Sequence, residues 1–215
     1  MIAIVPIRSG SKGIPNKNVK LFNSKPLVWW VLNSLENSYV DQIIVATDKE
    51  YIDVVNSFNF TKVSTYLRKR ENSRDTSSTE SVLIEVIKNL NLKDDILLAQ
   101  VTSPLTTSND FNQGIELYQK YDSVLSGVRQ KRFIWDDKGT ALNYDFKNRP
   151  RRQDWDGYLV ENGAFYINSS SNILKYINRL SGKIGIYEME EVTYYEIDSL
   201  DDWIILEGIN KLRLK

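Results

Sequence analysis

Unbroken apolar runs punctuate this chain, and the segments between them carry apolar residues at helical spacing. The runs Ile2–Pro6, 41–47, 94–101 and 122–128 do not alternate with polar residues, which is the pattern of strands buried on both faces of a parallel sheet. Residues 26–35, 48–57, 78–90 and 108–121 read as helices, and Ser108-Asn-Asp at the start of the last one is an N-cap signal. A shorter strand is expected over 62–66. Alternating strands and helices predict an α/β fold, a mostly parallel sheet with helices on both faces.

From about 129 to 160 the rhythm changes. Arg129-Gln-Lys-Arg132, Phe133-Ile-Trp135 and the turn Asp136-Asp-Lys-Gly139 suggest an inserted β-hairpin projection rather than another strand–helix unit. Residues 158–168 return as a strand, 170–180 as a helix, Ile184–Met189 and 193–197 as strands, and a last helix starts at Ser199 or Leu200. There is no internal repeat and no linker, so residues 1–215 are expected to form one domain with one projection.

The first strand runs into Arg8-Ser-Gly-Ser-Lys-Gly-Ile-Pro-Asn-Lys-Asn18. Gly10 and Gly13 let the backbone turn and approach a ligand with its N–H groups inward, and Arg8, Lys12 and Lys17 add positive charge. Such a loop suits a polyphosphate; an ordinary strand–helix connection with solvated charges is the other reading. It has neither the G-x-x-x-x-G-K-S/T spacing nor the G-x-G-x-x-G fingerprint. Thr47-Asp48 and Gln100-Val-Thr-Ser-Pro104 also follow apolar strands, so all three segments should gather on the rim where open α/β sheets bind ligands. Taken singly, a Gln or a Ser-Pro there is turn chemistry.

Composition narrows the chemistry. The formal net charge is zero, which gives no electrostatic case for nucleic acid or an anionic membrane. No stretch approaches the roughly eighteen apolar residues of a membrane span, and Met1 leads straight into a strand, so secretory and membrane readings are not expected. The chain has no cysteine and no histidine, which removes thiolate chemistry, disulfides, Ser-His-Asp hydrolysis and the usual zinc ligands. Any metal must be held by oxygen, pointing to a hard cation such as Mg²⁺. Glu196 and Asp198, two apart in an expected strand, would share a face and suit that ion. Asp202 instead pairs with Ser199 as a capping box, and Asp201 favours the same helix start.

Four segments in order carry a family resemblance. The opening resembles A-R-x-G-S-K-G-x-P-x-K-N of the acylneuraminate cytidylyltransferases (CMP-sugar synthetases), matching at Arg8, Gly10, Ser11, Lys12, Gly13, Pro15, Lys17 and Asn18, with Ile7 in place of alanine. Gln100-Val-Thr-Ser-Pro-Leu105 is similar to Q-P-T-S-P-L-R, with Val101 for proline and Thr106 for arginine. Arg151-Arg-Gln-Asp154 and Glu161-Asn-Gly-Ala164 are similar to R-R-Q-D … E-N-G-A, and Glu196-Ile-Asp198 stands where the family has D-I-D. Arg68 with Asp75-Thr-Ser-Ser-Thr79 looks like R-P-x-x-x-A-x-D-x-x-S/T, with Lys69 for proline; a polar loop capping the 78–90 helix is the other reading.

The resemblance implies a Rossmann-like nucleotidyltransferase fold of the nucleotide-diphospho-sugar transferase type. It also implies transfer of CMP from CTP to a nonulosonic acid (sialic acid or a legionaminic or pseudaminic relative), with release of pyrophosphate. Arg8, Lys12, Lys17 and Asp198 would be catalytic. Gly10, Ser11, Gly13, Asn18, Arg68, Ser77 and Ser78 would join Arg8, Lys12 and Lys17 in binding nucleotide. Gln100, Arg152 and Gln153 would hold the sugar, and Asp198 with Glu196 would hold Mg²⁺. The arginine forks suit a sugar carboxylate; without the resemblance, Arg151 and Arg152 would read as a surface ion-pair cluster with Asp154 and Asp156. The projection would reach a partner subunit in a homodimer, with Phe133, Ile134 and Trp135 either at that contact or in the chain's own core. A cytoplasmic enzyme without nucleic-acid or membrane partners is expected. Two alternatives stand: the same fold using another nucleotide or sugar, and a non-catalytic sugar-nucleotide-binding homologue.

Overall fold

The strongest apolar runs become the centre of a seven-stranded sheet in a computed structural model, described over residues 1–10, 13–73 and 77–214. Its strands are β1 (Ile2–Pro6), β4 (Gln42–Thr47), β5 (Val63–Leu67), β6 (Asp95–Ala99), β7 (Ser123–Gln130), β8 (Tyr158–Ser169) and β9 (Ile184–Met189), in the order β5-β4-β1-β6-β8-β7-β9. A separate two-stranded ribbon joins β2 (Leu21–Phe22) and β3 (Lys25–Pro26). All pairings in the large sheet are parallel except those of β8, which runs antiparallel to both β6 and β7.

Helices cover both faces. Alternate residues of β1 show why its run has no polar positions: Ala3 and Val5 join one core, Ile2 and Ile4 the other. The first core takes Leu27, Val31 and Leu35 from α1 (Leu27–Glu36), Tyr51 and Val55 from α2 (Lys49–Asn56), Phe111 from α4 (Ser108–Tyr118), and Trp203 and Leu206 from α6 (Leu200–Arg213). The second takes Val82, Leu83, Val86 and Ile87 from α3 (Thr79–Asn89) and Ile173 from α5 (Ser170–Tyr176). No helix among the described residues is long and apolar enough to cross a membrane.

Three expectations need correcting. The N-cap of α4 is Thr107, one residue before Ser108, in a capping box with Asp110. The 170–180 helix stops at Tyr176 because Ile177 turns left-handed at φ 53°. The 193–197 strand is absent: Glu191–Tyr194 is a 3₁₀ turn, in which the Thr193 hydroxyl donates to Glu190 O at 2.7 Å. Buried Asn162 then donates to Thr193 O at 3.0 Å, so that carbonyl is tied to a side chain instead of a neighbouring strand.

On the second face, Arg179 donates to Glu80 at 2.6 Å and lies over the Tyr166 ring at 4.7 Å, while the Tyr166 hydroxyl donates to Glu161. Burial disfavours the Glu80 carboxylate, but the Arg179 hydrogen bond and charge outweigh it and hold this carboxyl below its usual value. A depressed folded-state pKa stabilises above the unfolded value and is lost as pH falls through the folded one. The stability gap between wild type and Glu80→Gln, measured by urea unfolding, should therefore be widest near pH 7 and close below the ordinary glutamate range. A gap independent of pH would contradict the pairing.

Candidate active site

The strand order reverses at β1, which has β4 on one side and β6 on the other. A cleft of about 410 Å³ opens there, where open α/β sheets bind ligands. Its walls come from four places: Arg8, Gly13, Lys17 and Asn18 after β1; Arg68, Ser77 and Ser78 between β5 and α3, with Thr79 at the start of α3; Gln100, Val101 and Thr102 after β6; and Asp198 before α6.

The loop after β1 is held by its own polar groups. Asn18 is buried and donates to Arg8 O at 2.9 Å, while Tyr51 donates to Asn16 at 3.1 Å. Asn16 is left-handed (φ 53°) and leads into the 3₁₀ turn Lys17–Val19. The Lys17 side chain is only 14% exposed, and its ammonium donates to Ile197 O at 2.6 Å and Asp198 Oδ1 at 3.3 Å. Gly13 is required by this approach: a Cβ there would lie 2.7 Å from the Asp198 carbonyl oxygen. Gly10, at φ 77°, is exposed and does not line the cleft. Ser11 and Lys12 lie outside the described residues.

The acidic segment is stretched between the 3₁₀ turn and the Ser199/Asp202 capping box of α6, anchored by Ile197 N–H donating to Thr102 O at 2.8 Å. Glu196 and Asp198 flank the fully buried Ile197, in unlike surroundings. Asp198 is 74% exposed and faces the cleft beside Lys17. Glu196 is half-buried, 3.0 Å from the position of a Gly163 Cβ, and accepts from the Thr102 hydroxyl at 3.4 Å. Burial, then the Asp198 charge, push its carboxyl above the usual value against the pull of Thr102 and Lys17. Among the described residues no cluster of three or more potential ligands forms a ready cation cage. One exposed and one half-buried carboxylate are oxygen donors of the kind a hard cation takes when it keeps waters and substrate phosphate oxygens as its other ligands.

On the opposite wall Arg68 is buried, with its guanidinium 2.8 Å from Asp48 and its buried Nε without a hydrogen-bond partner among the described residues. Ser78 is committed to capping α3, accepting from Ser81 N–H at 3.1 Å, and the Ser77 hydroxyl donates to Glu71 O at 2.8 Å. Asp75 lies outside the described residues. Gln100 lines the cleft, with its N–H on Ala164 O at 3.0 Å.

Arg152 and Gln153 do not join the cleft. Both are exposed on the projection, with Arg152 3.7 Å from Glu191; the neighbouring Arg151 pairs with Asp154 at 2.6 Å, one of the surface pairs the bland reading allowed. The projection's hairpin carries one β-bridge, Trp135 to Ala141, the Asn143 side chain bonded to Ile134 N–H and Arg132 O, and an aromatic stack. Phe133 lies 4.6 Å from Trp155 and 4.2 Å from Tyr144, with the Arg149 guanidinium 4.3 Å from its ring. Phe133 thus packs within the chain, whereas Ile134 and Trp135 are exposed. Thr102 and Thr79 line the cleft too; sequence reasoning quoted both inside longer motifs without assigning either a role.

A rim cleft at the switch point of a mostly parallel sheet, with helices on both faces, is the arrangement of a Rossmann-like α/β fold. Two solved structures share it: CMP:2-keto-3-deoxy-manno-octonic acid synthetase complexed with CTP (TM-score 0.71, 16% identity, 99% of this chain and 98% of that one) and a 4-diphosphocytidyl-2C-methyl-D-erythritol synthase from Anaerococcus prevotii (TM-score 0.69, 15%, 98% of each). At that identity they speak to fold alone. The chain belongs to the cytidylyltransferase family, whose model matches residues 2–215. It is 35% identical to N-acylneuraminate cytidylyltransferase B of Danio rerio over 95% of this chain and 50% of the relative. It is 37% identical to the N-acylneuraminate cytidylyltransferase of Oncorhynchus mykiss (95% and 49%) and 25% identical to the pseudaminic acid cytidylyltransferase of Campylobacter jejuni (94% and 92%). The chain thus spans about half the length of the two fish relatives.

Proposed function

We propose that this chain transfers CMP from CTP to the anomeric hydroxyl of a nonulosonic acid, a sialic acid or a legionaminic or pseudaminic relative, and releases pyrophosphate. The observation that carries the reading is the convergence of Arg8, Lys17, Arg68, Gln100 and Asp198, from segments far apart in sequence, on one cleft.

Phosphoryl-type transfer asks mainly for positioning and charge neutralisation. Arg8, Lys12, Lys17 and backbone N–H groups of the loop after β1 hold the triphosphate. Arg68, Ser77 and Ser78 form the nucleoside side, where the unpaired Arg68 Nε offers a donor to a ligand atom. Gln100 orients the sugar. The sugar hydroxyl gives up its proton to solvent as its oxygen attacks the α-phosphorus, the bond from that phosphorus to the α–β bridging oxygen breaks, and pyrophosphate carries the bridging oxygen away. Asp198, assisted by Glu196, would hold Mg²⁺, which when bound neutralises phosphate charge and acidifies the sugar hydroxyl. We place the reaction in the cytoplasm, since its donor is a nucleoside triphosphate.

Arg152 and Gln153 reach a sugar from a neighbouring subunit in a homodimer. Supporting this, the projection exposes Ile134, Trp135, Leu142, Phe146 and Tyr158 around its aromatic stack. Trp135→Asp is expected to shift sedimentation from dimer to monomer and to raise the KM for the sugar more than that for CTP. An unchanged dimer would remove the projection from the interface.

Donor choice tests the assignment: with acceptor present, kcat/KM for CTP should exceed that for UTP, ATP and GTP by at least about a hundredfold, as expected where buried donors and acceptors read a base. Equal use of UTP would favour another nucleotide-sugar reaction on the same fold.

A further inference from the structure

Asp48 stands at the N-cap position of α2, with extended backbone (φ −86°, ψ 162°), yet its side chain makes no capping bond. An aspartate there ordinarily accepts an N–H from the first turn of its own helix. This one is turned across the sheet. Its Oδ2 accepts the Ser9 N–H at 2.7 Å and the Ser9 hydroxyl at 3.0 Å, and its Oδ1 accepts from Arg68 Nη2 at 2.8 Å. Ser9 sits in the loop after β1, between Arg8 and Gly10, and Arg68 follows β5; Asp48 follows β4, the strand between them. Asp48 and Arg68 are each 7% exposed. One buried carboxylate therefore fastens the phosphate-side loop to the nucleoside-side arginine.

We infer that Asp48 is a positioning residue that sets the Ser9 loop and Arg68 at a common spacing for CTP, without touching CTP itself. The inference rests on the reading that the cleft takes CTP. Charge alone argues in the opposite direction: a carboxylate near a triphosphate repels it, so an Asp48 with no positioning role would weaken CTP binding, and neutralising it would tighten binding. Asparagine is nearly isosteric but offers one acceptor oxygen; its NH₂ must face either the Ser9 donors or the Arg68 donor, so one tie is lost.

The test is calorimetric titration of CTP, and separately of inorganic tripolyphosphate, into wild type, Asp48→Asn and Ser9→Ala with Mg²⁺ present. Tripolyphosphate reports on the loop without the nucleoside wall. Asp48→Asn should weaken CTP by about tenfold or more and tripolyphosphate in the same direction; Ser9→Ala, which leaves the Asp48–Arg68 pair intact, should weaken both by about threefold. In turnover, the CTP KM should rise with the sugar KM unchanged, whereas a loss of folded protein alone would lower only the maximal rate. Asp48→Asn binding CTP as tightly as wild type, or tighter, overturns the inference. If that variant does not fold, unchanged binding by Ser9→Ala overturns it instead. Wild type failing to bind CTP would overturn the functional reading and this inference with it; wild-type binding with indifferent variants overturns this inference alone.

Discussion

Asp198→Asn is expected to lower turnover by roughly a hundred- to a thousandfold, the usual cost of removing a group that stabilises charge at the reacting centre. The substitution keeps the shape and removes the charge. Stability should barely move, because the side chain is 74% exposed and its ion pair among the described residues is a 3.3 Å contact with Lys17. The backbone that sets this residue is anchored elsewhere, by Ile197 on Thr102 and by the capping box that starts α6. A kcat loss with a near-native melting temperature is the expected signature. Retained turnover would take Asp198 out of the reaction, and a non-catalytic binder would show CTP binding with no turnover to lose in either protein.

Lys17→Met should act on the other half of the rate expression. The ammonium is largely withdrawn from water and already oriented by Ile197 O at 2.6 Å, so it meets the triphosphate without first being ordered. Removing a buried charged donor of this kind costs on the order of thirtyfold or more in affinity, so the CTP KM should rise accordingly. The lost bond to Ile197 O also loosens the acidic segment, and some fall in kcat should follow. Steady-state kinetics over a CTP titration separates the two effects. A CTP KM within about twofold of wild type would mean that Lys17 serves the Ile197 carbonyl and not the nucleotide.

What the chain's pattern revealed, and what it did not, follows from the range of the forces involved. The central strands were legible because each is buried on both faces, so sequence and burial carry the same message. The apolar alternation around Ile197 also reads as a strand, but pairing depends on a partner, and Asn162 and Glu190 take the groups of Thr193 before any strand can. Ile177 ends α5 in a left-handed conformation that β-branched residues disfavour, so no local signal announces it. In the site, the opening loop and Gln100 were legible from charge, glycine and strand ends. The strand end also put Asp48 on the rim, but its tie to Ser9 and Arg68 was not legible: its local signature is a helix cap, and its partners lie 39 and 20 residues away. The resemblance named Arg152 and Gln153 as sugar contacts, yet both lie outside the cleft of this chain, because where the projection points is encoded in no local pattern.

The account's central claim is tested most directly by incubating the purified chain with CTP, Mg²⁺ and each of a panel of nonulosonic acids, following pyrophosphate release and identifying the product by mass. Acceptor-dependent pyrophosphate with an equimolar CMP-glycoside is the expected result. Tight CTP binding with neither product from any acceptor would contradict it.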